Sequence, residues 1–137
     1  MTSARNESAG RIVRLVGVYD AESTLRGEVS YWIGARLGRR HCSLCEITHG
    51  SVRERPDWKR CRAGLPVQFD TFHRNDQPDT VRAAANGSAP VIVAETDTTA
   101  VLLVSAAELE ECNGSIDLLV TAIEKAALAL QLRWTTP

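Results

Sequence analysis

A near-continuous run of apolar and β-branched residues close to the N-terminus most constrains the fold of this chain. Residues Arg11 to Asp20 read R-I-V-R-L-V-G-V-Y-D. This composition predicts a β-strand, and the lack of strict apolar–polar alternation favours a strand with both of its faces buried. We therefore expect this segment to lie in the interior of a sheet.

Three later segments have features of helices. Apolar residues recur at intervals of three and four from Ser23 to Leu37, which predicts an amphipathic helix. A second helix is predicted over Val52–Gly64, with Pro56 in its first turn and Gly64 at its end. A short helix is predicted over Asp79–Ala85, ended by Asn86 and Gly87.

Three further segments predict strands. Pro66–Phe72 alternates between apolar and polar residues, as in a strand with one buried face. Pro90–Glu95 and Ala100–Ser105 are also strand-like, and a short turn at Asp97-Thr98 separates them. This spacing predicts an antiparallel hairpin formed by the last two strands.

The C-terminal part of the chain is expected to be helical. Ser105 and Glu108 have the spacing of a capping box. Asn113-Gly114 interrupts the helical pattern, and Ser115 is placed to cap a second helix with an apolar stripe. With 137 residues in total, we expect one domain over residues 11–134 and a frayed tail over residues 1–10.

The resulting order of elements, β-α-motif-α-β-α-β-β-α, resembles the thioredoxin-like fold, including glutaredoxin-like domains. The strongest local match is Ala89-Pro90-Val91-Ile92-Val93. In that fold an x-Pro-Val segment opens the third strand with a cis proline. The resemblance implies an α/β protein with a four-stranded mixed sheet flanked by helices, and a cis bond before Pro90.

A cluster of cysteine and histidine residues carries the main chemical signal. Residues 41–49 read H-C-S-L-C-E-I-T-H, so Cys42 and Cys45 form a C-x-x-C pair flanked by His41 and His49. The segment would be an insertion between the first helix and the second strand. Thioredoxins carry their C-x-x-C directly after the first strand, where this chain has Asp20 to Ser23. The family's redox role therefore does not transfer residue by residue.

Metal binding is our leading hypothesis for this cluster. Cys42, Cys45 and His49 supply thiolate and imidazole donors, and Cys61 would complete a Cys₃His set for zinc or iron. His41 and His73 are substitute ligands. A single C-x-x-C is weaker evidence for a metal site than two such pairs would be.

Two alternatives remain open. In the first, the chain is a thiol-disulfide oxidoreductase in which Cys42 attacks and Cys45 resolves, with a protein thiol or a small-molecule thiol as partner. In the second, the cysteines are small buried side chains in a non-catalytic interaction module that uses its basic surface. Individually, Cys61 and Cys112 lean toward the packing role.

Charge is distributed unevenly along the chain. The segment from Arg36 to Arg62 carries eight basic and three acidic residues, whereas the net charge of the whole chain is −1. Nearby positive charge favours the thiolate form of cysteine, so one interpretation is that this segment activates the C-x-x-C pair, and an equally good one is a solvated basic helix face. Nucleic-acid binding is not favoured, because aromatic residues do not interleave the arginines.

Several function classes are excluded by missing patterns. The chain has no phosphate-binding loop G-x-x-x-x-G-K-[ST] and no G-x-G-x-x-G, so we expect no nucleotide cofactor. Its apolar runs are too short to span a bilayer, and we expect no membrane partner. The N-terminus lacks an apolar signal region, so a cytoplasmic location is expected.

Overall fold

A mixed five-stranded sheet forms the centre of the described chain. The computed structural model describes residues 10–20, 43–48 and 54–135, apart from the side chain of Glu46. The strands are β1 (Arg11–Tyr19), β2 (Gln68–His73), β3 (Val91–Thr96), β4 (Ala100–Val104) and β5 (Arg133–Trp134). Their order is β2-β1-β3-β4, and β5 pairs with the start of β1.

Five helices are seen within these residues. They are α1 (Ser43–Thr48), α2 (Pro56–Ala63), α3 (Asp79–Ala85), α4 (Ala106–Glu111) and α5 (Ile116–Ala129). The protein is thus of the α/β class, as predicted. The predicted helix over Ser23–Leu37 and the predicted tail lie outside the described residues, except for Gly10.

Strand β1 is interior, as its composition predicts. It pairs in parallel with β2 and antiparallel with β3, so that Leu15 lies between Phe69 and Ala94. Strands β3 and β4 form the predicted antiparallel hairpin, with Ala94 opposite Val101. The carboxyl end of β1 therefore lies beside the carboxyl end of β2 and the start of β3.

Both faces of the sheet are buried, which explains why β1 lacks polar alternation. On one face, Leu15 and Tyr19 belong to a large core that includes residues from α1, α2, α4 and α5. On the opposite face, Val16 and Val18 pack with Val81 of α3 and its neighbours. Successive residues of β1 thus contribute to different cores.

A charged group centred on Arg14 links three strands on the face of the sheet that carries Val16 and Val18. The Arg14 guanidinium donates to both carboxylate oxygens of Glu95, at 2.7 and 2.8 Å, and to Asp70 at 2.9 Å. Hydrogen bonds with Glu95 are the main cause that raises the pKa of Arg14. This charged group joins β2, β1 and β3 side by side.

The predicted helix ends are largely confirmed. Helix α3 has the predicted bounds and ends at Asn86 in the left-handed conformation. Ser105 and Glu108 form the predicted capping box, and the Ser115 hydroxyl accepts a hydrogen bond from Leu118 N. These positions are predictable because each depends on a local feature, a left-handed backbone at Asn86 and side chain-to-backbone contacts at the two serines.

Three local features differ from the prediction. Helix α2 begins at Pro56 rather than at Val52, and Arg55 is extended because the residue before a proline is forced away from helical geometry. Strand β2 begins at Gln68 rather than at Pro66. Helix α1 and the two-residue strand β5 were not predicted, since both are too short for a periodic pattern.

Candidate functional site

Helix α1 is the described part of the cysteine–histidine motif. It contains Cys45, which is disulfide-bonded and only 3% exposed. Cys61 and Cys112 carry free thiols. The predicted site residues His41, Cys42 and His49 lie outside the described residues. The motif thus presents a buried, oxidised cysteine on a six-residue helix.

The apolar side of α1 lies directly on the central strand. Leu44 and Ile47 are fully buried. A Cβ atom added to Gly17 would lie 3.1 Å from Leu44 Cδ2 and 3.2 Å from Phe69 Cε1. The absence of a side chain at Gly17 therefore gives Leu44 its space against the sheet, and it holds the cysteine-bearing helix close to β1.

The end of α1 is joined to the end of β1 by a buried hydrogen bond. The Tyr19 and Thr48 hydroxyl oxygens are 2.9 Å apart. Burial raises the pKa of Tyr19, and hydrogen bonds with Thr48 and Thr71 partly oppose this effect. The Tyr19 phenol is thus neutral at physiological pH and makes these hydrogen bonds as an uncharged group.

Arg55 provides a second connection to α1. Its backbone N–H donates to Thr48 O at 2.7 Å, and its Nη1 donates to Ile47 O at 3.2 Å. The same Nη1 donates to Gly114 O at 2.9 Å, in the turn between α4 and α5. Asp57 accepts from Nε and Nη2 at 3.2 and 2.9 Å. Arg55 therefore links the end of α1 to both α2 and the α4–α5 turn.

Polar side chains meet at the carboxyl ends of β1 and β2. His73 Nδ1 lies 3.3 Å from Asp76, and the His73 ring packs edge-on against Tyr19. Arg74 Nη1 lies 3.3 Å from Asp20. The predicted description of His73 as a polar residue at a strand end is confirmed by its position. Functional groups in α/β proteins commonly lie at this edge of the sheet.

Pro90 lies at this same edge of the sheet. The Ala89–Pro90 peptide bond is cis, as predicted. Val91, which follows it, pairs with Val18 near the end of β1. Pro90 therefore precedes the strand that adjoins the Tyr19 end of β1.

Cys61 lies in a different environment from Cys45. It is half-buried on α2, in an open pocket of about 570 Å³ whose wall includes Asp57 and Asp117 from the start of α5. Burial raises the pKa of the Cys61 thiol, and the negative charges of Asp117 and Asp57 raise it further. These surroundings disfavour the thiolate that a metal ligand or nucleophile requires.

Cys112 belongs to the same buried core as Cys45. Its Sγ donates to Glu108 O at 3.4 Å at the end of α4. Burial is the main cause that raises the pKa of its thiol, and the negative charges of Glu111 and Glu108 raise it further. The free thiols of Cys61 and Cys112 thus have surroundings that agree with the packing role predicted for them.

The metal hypothesis stays a prediction. Within residues 10–20, 43–48 and 54–135, no group of three or more histidine, cysteine, aspartate or glutamate residues could hold a metal ion. Two of the four predicted ligands, Cys42 and His49, lie outside those ranges. A disulfide sulfur cannot bind zinc as a thiolate, so Cys45 would have to be reduced first.

Two of the three acidic residues of the basic segment form ion pairs with its arginines. Among the described residues, Arg55 pairs with Asp57 at 2.9 Å, and Arg62 pairs with Glu54 at 3.0 Å. Each ion pair reduces the positive potential available to a nearby thiolate. The sequence could not reveal these pairs, because they depend on how α2 and its preceding turn fold.

The residues that hold α1 in place were not identified from the sequence. In the sequence, Arg55 is one of several arginines in the basic segment, and Tyr19 is one residue of a predicted strand. Arg55-Pro56 is the one feature of the sequence that indicates a special position. A residue before proline is extended, so its backbone N–H is not used within the helix that follows. Thr48 within the motif gave no comparable signal.

Comparisons with known proteins supply no further assignment. No family model, curated protein or solved structure matches the chain. Among the described residues, no helix is both long enough and apolar enough to cross a membrane.

Proposed function

We propose that the protein is a thioredoxin-like thiol-disulfide exchange protein in which Cys42 and Cys45 form the redox pair. The state of the cysteines carries this proposal. Cys45 is disulfide-bonded, whereas Cys61 and Cys112 are free. The chain has four cysteines, and we propose the fourth, Cys42, as the partner of Cys45.

The sheet supports the family part of the proposal. The order β2-β1-β3-β4, with β2 parallel and β3 antiparallel to β1, is the arrangement expected of a thioredoxin-like sheet. Helices cover both of its faces. The pair departs from the family position, because Cys45 belongs to α1 and the segment that directly follows β1 in the sequence has no cysteine.

The proposed chemistry needs a reduced dithiol partner. A partner thiolate attacks the Cys42 sulfur, forms a mixed disulfide and releases Cys45 as a thiolate, which takes up a proton. The partner's second thiolate then attacks the partner sulfur of the mixed disulfide and releases Cys42. The protein disulfide thus gains two electrons and two protons, and the partner dithiol becomes a disulfide.

Burial supports distinct roles for the two cysteines. Cys45 is 3% exposed, so its sulfur is a poor target for a bulky partner and is suited to resolving a mixed disulfide from inside the protein. Cys42 is therefore proposed as the attacked and attacking sulfur. This agrees with the roles predicted from the order of the pair.

The test is trapping of the mixed disulfide. Reduced Cys45→Ser protein should form a stable adduct through Cys42 with the disulfide of a small-molecule monothiol, whose other half is released as a free thiol, and Cys42→Ser should form much less. Cys61→Ser and Cys112→Ser serve as matched controls and should behave as wild type. Equal trapping by all four variants, or trapping through Cys61 or Cys112, would contradict the proposal.

A further inference from the structure

The contacts of Arg55 converge on the last turn of the helix that carries Cys45. The Arg55 backbone N–H and Nη1 donate to the carbonyls of Thr48 and Ile47, at 2.7 and 3.2 Å. A positive group at a helix C-terminus also interacts favourably with the helix dipole. One residue thus satisfies two of the carbonyls that a helix leaves unpaired at its end.

The guanidinium is itself held from two other directions. Gly114 O accepts from Nη1 at 2.9 Å, and the Asp57 carboxylate accepts from Nε and Nη2. Hydrogen bonding to Arg55 is the main cause that lowers the pKa of Asp57, so the carboxylate stays ionised at neutral pH. Because two parallel hydrogen bonds to Asp57 fix the planar guanidinium, it has little freedom to move away from α1.

The burial of Cys45 on α1 limits how readily its sulfur leaves the disulfide and takes up a proton. Cys45 is two residues before Ile47 on a six-residue helix, and its exposed fraction is 3%. Local opening that exposes such a group must break the contacts at the helix end. The contact of Arg55 Nη1 with Ile47 O is charge-assisted, so it contributes more to this barrier than an ordinary backbone hydrogen bond.

We propose that Arg55 is a positioning residue that holds α1, and with it Cys45, in its buried position beside β1 and thereby limits the rate at which the disulfide exchanges. This inference rests on the proposed redox function. Arg55 takes no part in the electron transfer. It controls how readily Cys45 is released as a leaving thiolate when a reductant attacks Cys42.

The test is the rate of disulfide reduction by dithiothreitol under native conditions. The reductant's two thiols become its cyclic disulfide, and the protein disulfide gains two electrons and two protons. Arg55→Ala should accelerate reduction by about tenfold, since its charge-assisted contacts are lost. Arg55→Lys should restore part of the wild-type rate, because it keeps the charge without the planar fork.

The matched control is Arg60→Ala, which removes the same charge from α2. Its reduction rate should stay within about twofold of wild type, because the Arg60 side chain is exposed on the surface of α2. Reduction rates are measured across low urea concentrations. Local opening predicts little urea dependence of the accelerated rate, whereas global unfolding predicts the full dependence seen in equilibrium unfolding.

The outcomes separate this inference from the proposed function. Equal rates in Arg55→Ala and Arg60→Ala, or an acceleration that follows global unfolding, would overturn the role of Arg55. Failure of the wild-type disulfide to reform after reduction would instead overturn the redox function. Wild-type cycling with a specific, urea-insensitive acceleration in Arg55→Ala supports both.

Discussion

The hydroxyl oxygens of Tyr19 and Thr48 lie 2.9 Å apart in the core, where the central strand and the cysteine-bearing helix both end. Thr48 is fully buried and Tyr19 nearly so. A hydrogen bond in such surroundings is costly to break without a replacement partner. This contact therefore fixes the end of α1 relative to β1.

Tyr19→Phe is expected to destabilise the protein by about 1–3 kcal/mol, since it removes the hydrogen bonds with Thr48 and Thr71 and leaves the packing of the ring intact. Burial raises the pKa of Tyr19, so the neutral phenol is the form that stabilises the fold. This stabilisation is complete below the unfolded-state pKa of about 10 and is lost as pH rises through the raised folded-state value.

Urea unfolding at pH 7 and ultraviolet titration of tyrosinate check this prediction. Wild type should show an absorbance step above pH 10 that Tyr19→Phe lacks. An unchanged titration curve in Tyr19→Phe, together with unchanged stability, would show that the phenol is not held as described.

Gly17→Ala is expected to destabilise the protein by about 1–3 kcal/mol, the usual range for added volume in a packed core. The new methyl group would lie 3.1 Å from Leu44 Cδ2, so Leu44 and the ring of Phe69 must both move. The measurement is the urea midpoint at constant m-value.

Gly64→Ala provides the control for this substitution. Its added Cβ meets only carbonyl oxygens at 3.6 and 3.7 Å, and the backbone has an ordinary negative φ. We expect a change within about 0.5 kcal/mol, because this substitution also reduces the entropy of the unfolded chain. Equal effects at Gly17 and Gly64 would contradict the close seating of α1 on β1.

Cys61 should react slowly with iodoacetamide in the native protein at pH 8, because burial and the charges of Asp117 and Asp57 raise its thiol pKa. Asp117→Asn removes one of these charges and should speed alkylation of Cys61 by about two- to threefold. Cys112 in the same sample is an internal control, since other carboxylates act on it. An equal acceleration at both thiols would point to loosening of the fold instead.

Zinc content separates exchange chemistry from the metal hypothesis. If the pair works by exchange, protein purified under reducing conditions without added metal should hold well under one equivalent of zinc or iron. Cys45→Ser should not change this content. About one equivalent that is lost in Cys45→Ser, with a lower melting temperature, would instead support ligation by Cys42, Cys45, His49 and Cys61.

Local sequence signals predicted the framework and missed the contacts around α1. Asn86, Ser105 and Ser115 marked helix ends because each acts on backbone groups a few residues away. The hairpin followed from one short turn between two apolar runs. Such features depend on neighbours in sequence, so a single chain is enough to reveal them.

The candidate site depends instead on contacts between distant residues. Arg55 reaches Gly114 across 59 positions, and Tyr19 reaches Thr48 across 29. No pattern in the sequence marks these pairs, because each requires the folded sheet to bring its members together. The C-x-x-C spacing showed where chemistry is concentrated, but it could not distinguish a disulfide from a metal site.

A redox titration of the cysteines tests the central claim most directly. The protein is equilibrated with dithiothreitol buffers of graded potential, its thiols are trapped with a maleimide, and the labelled peptides are identified by mass spectrometry. We expect two labelled cysteines, Cys61 and Cys112, at oxidising potentials and four at reducing potentials. The transition should be reversible, involve two electrons and be lost in Cys42→Ser. Four labelled cysteines at every potential, or a disulfide that includes Cys61 or Cys112, would contradict the account.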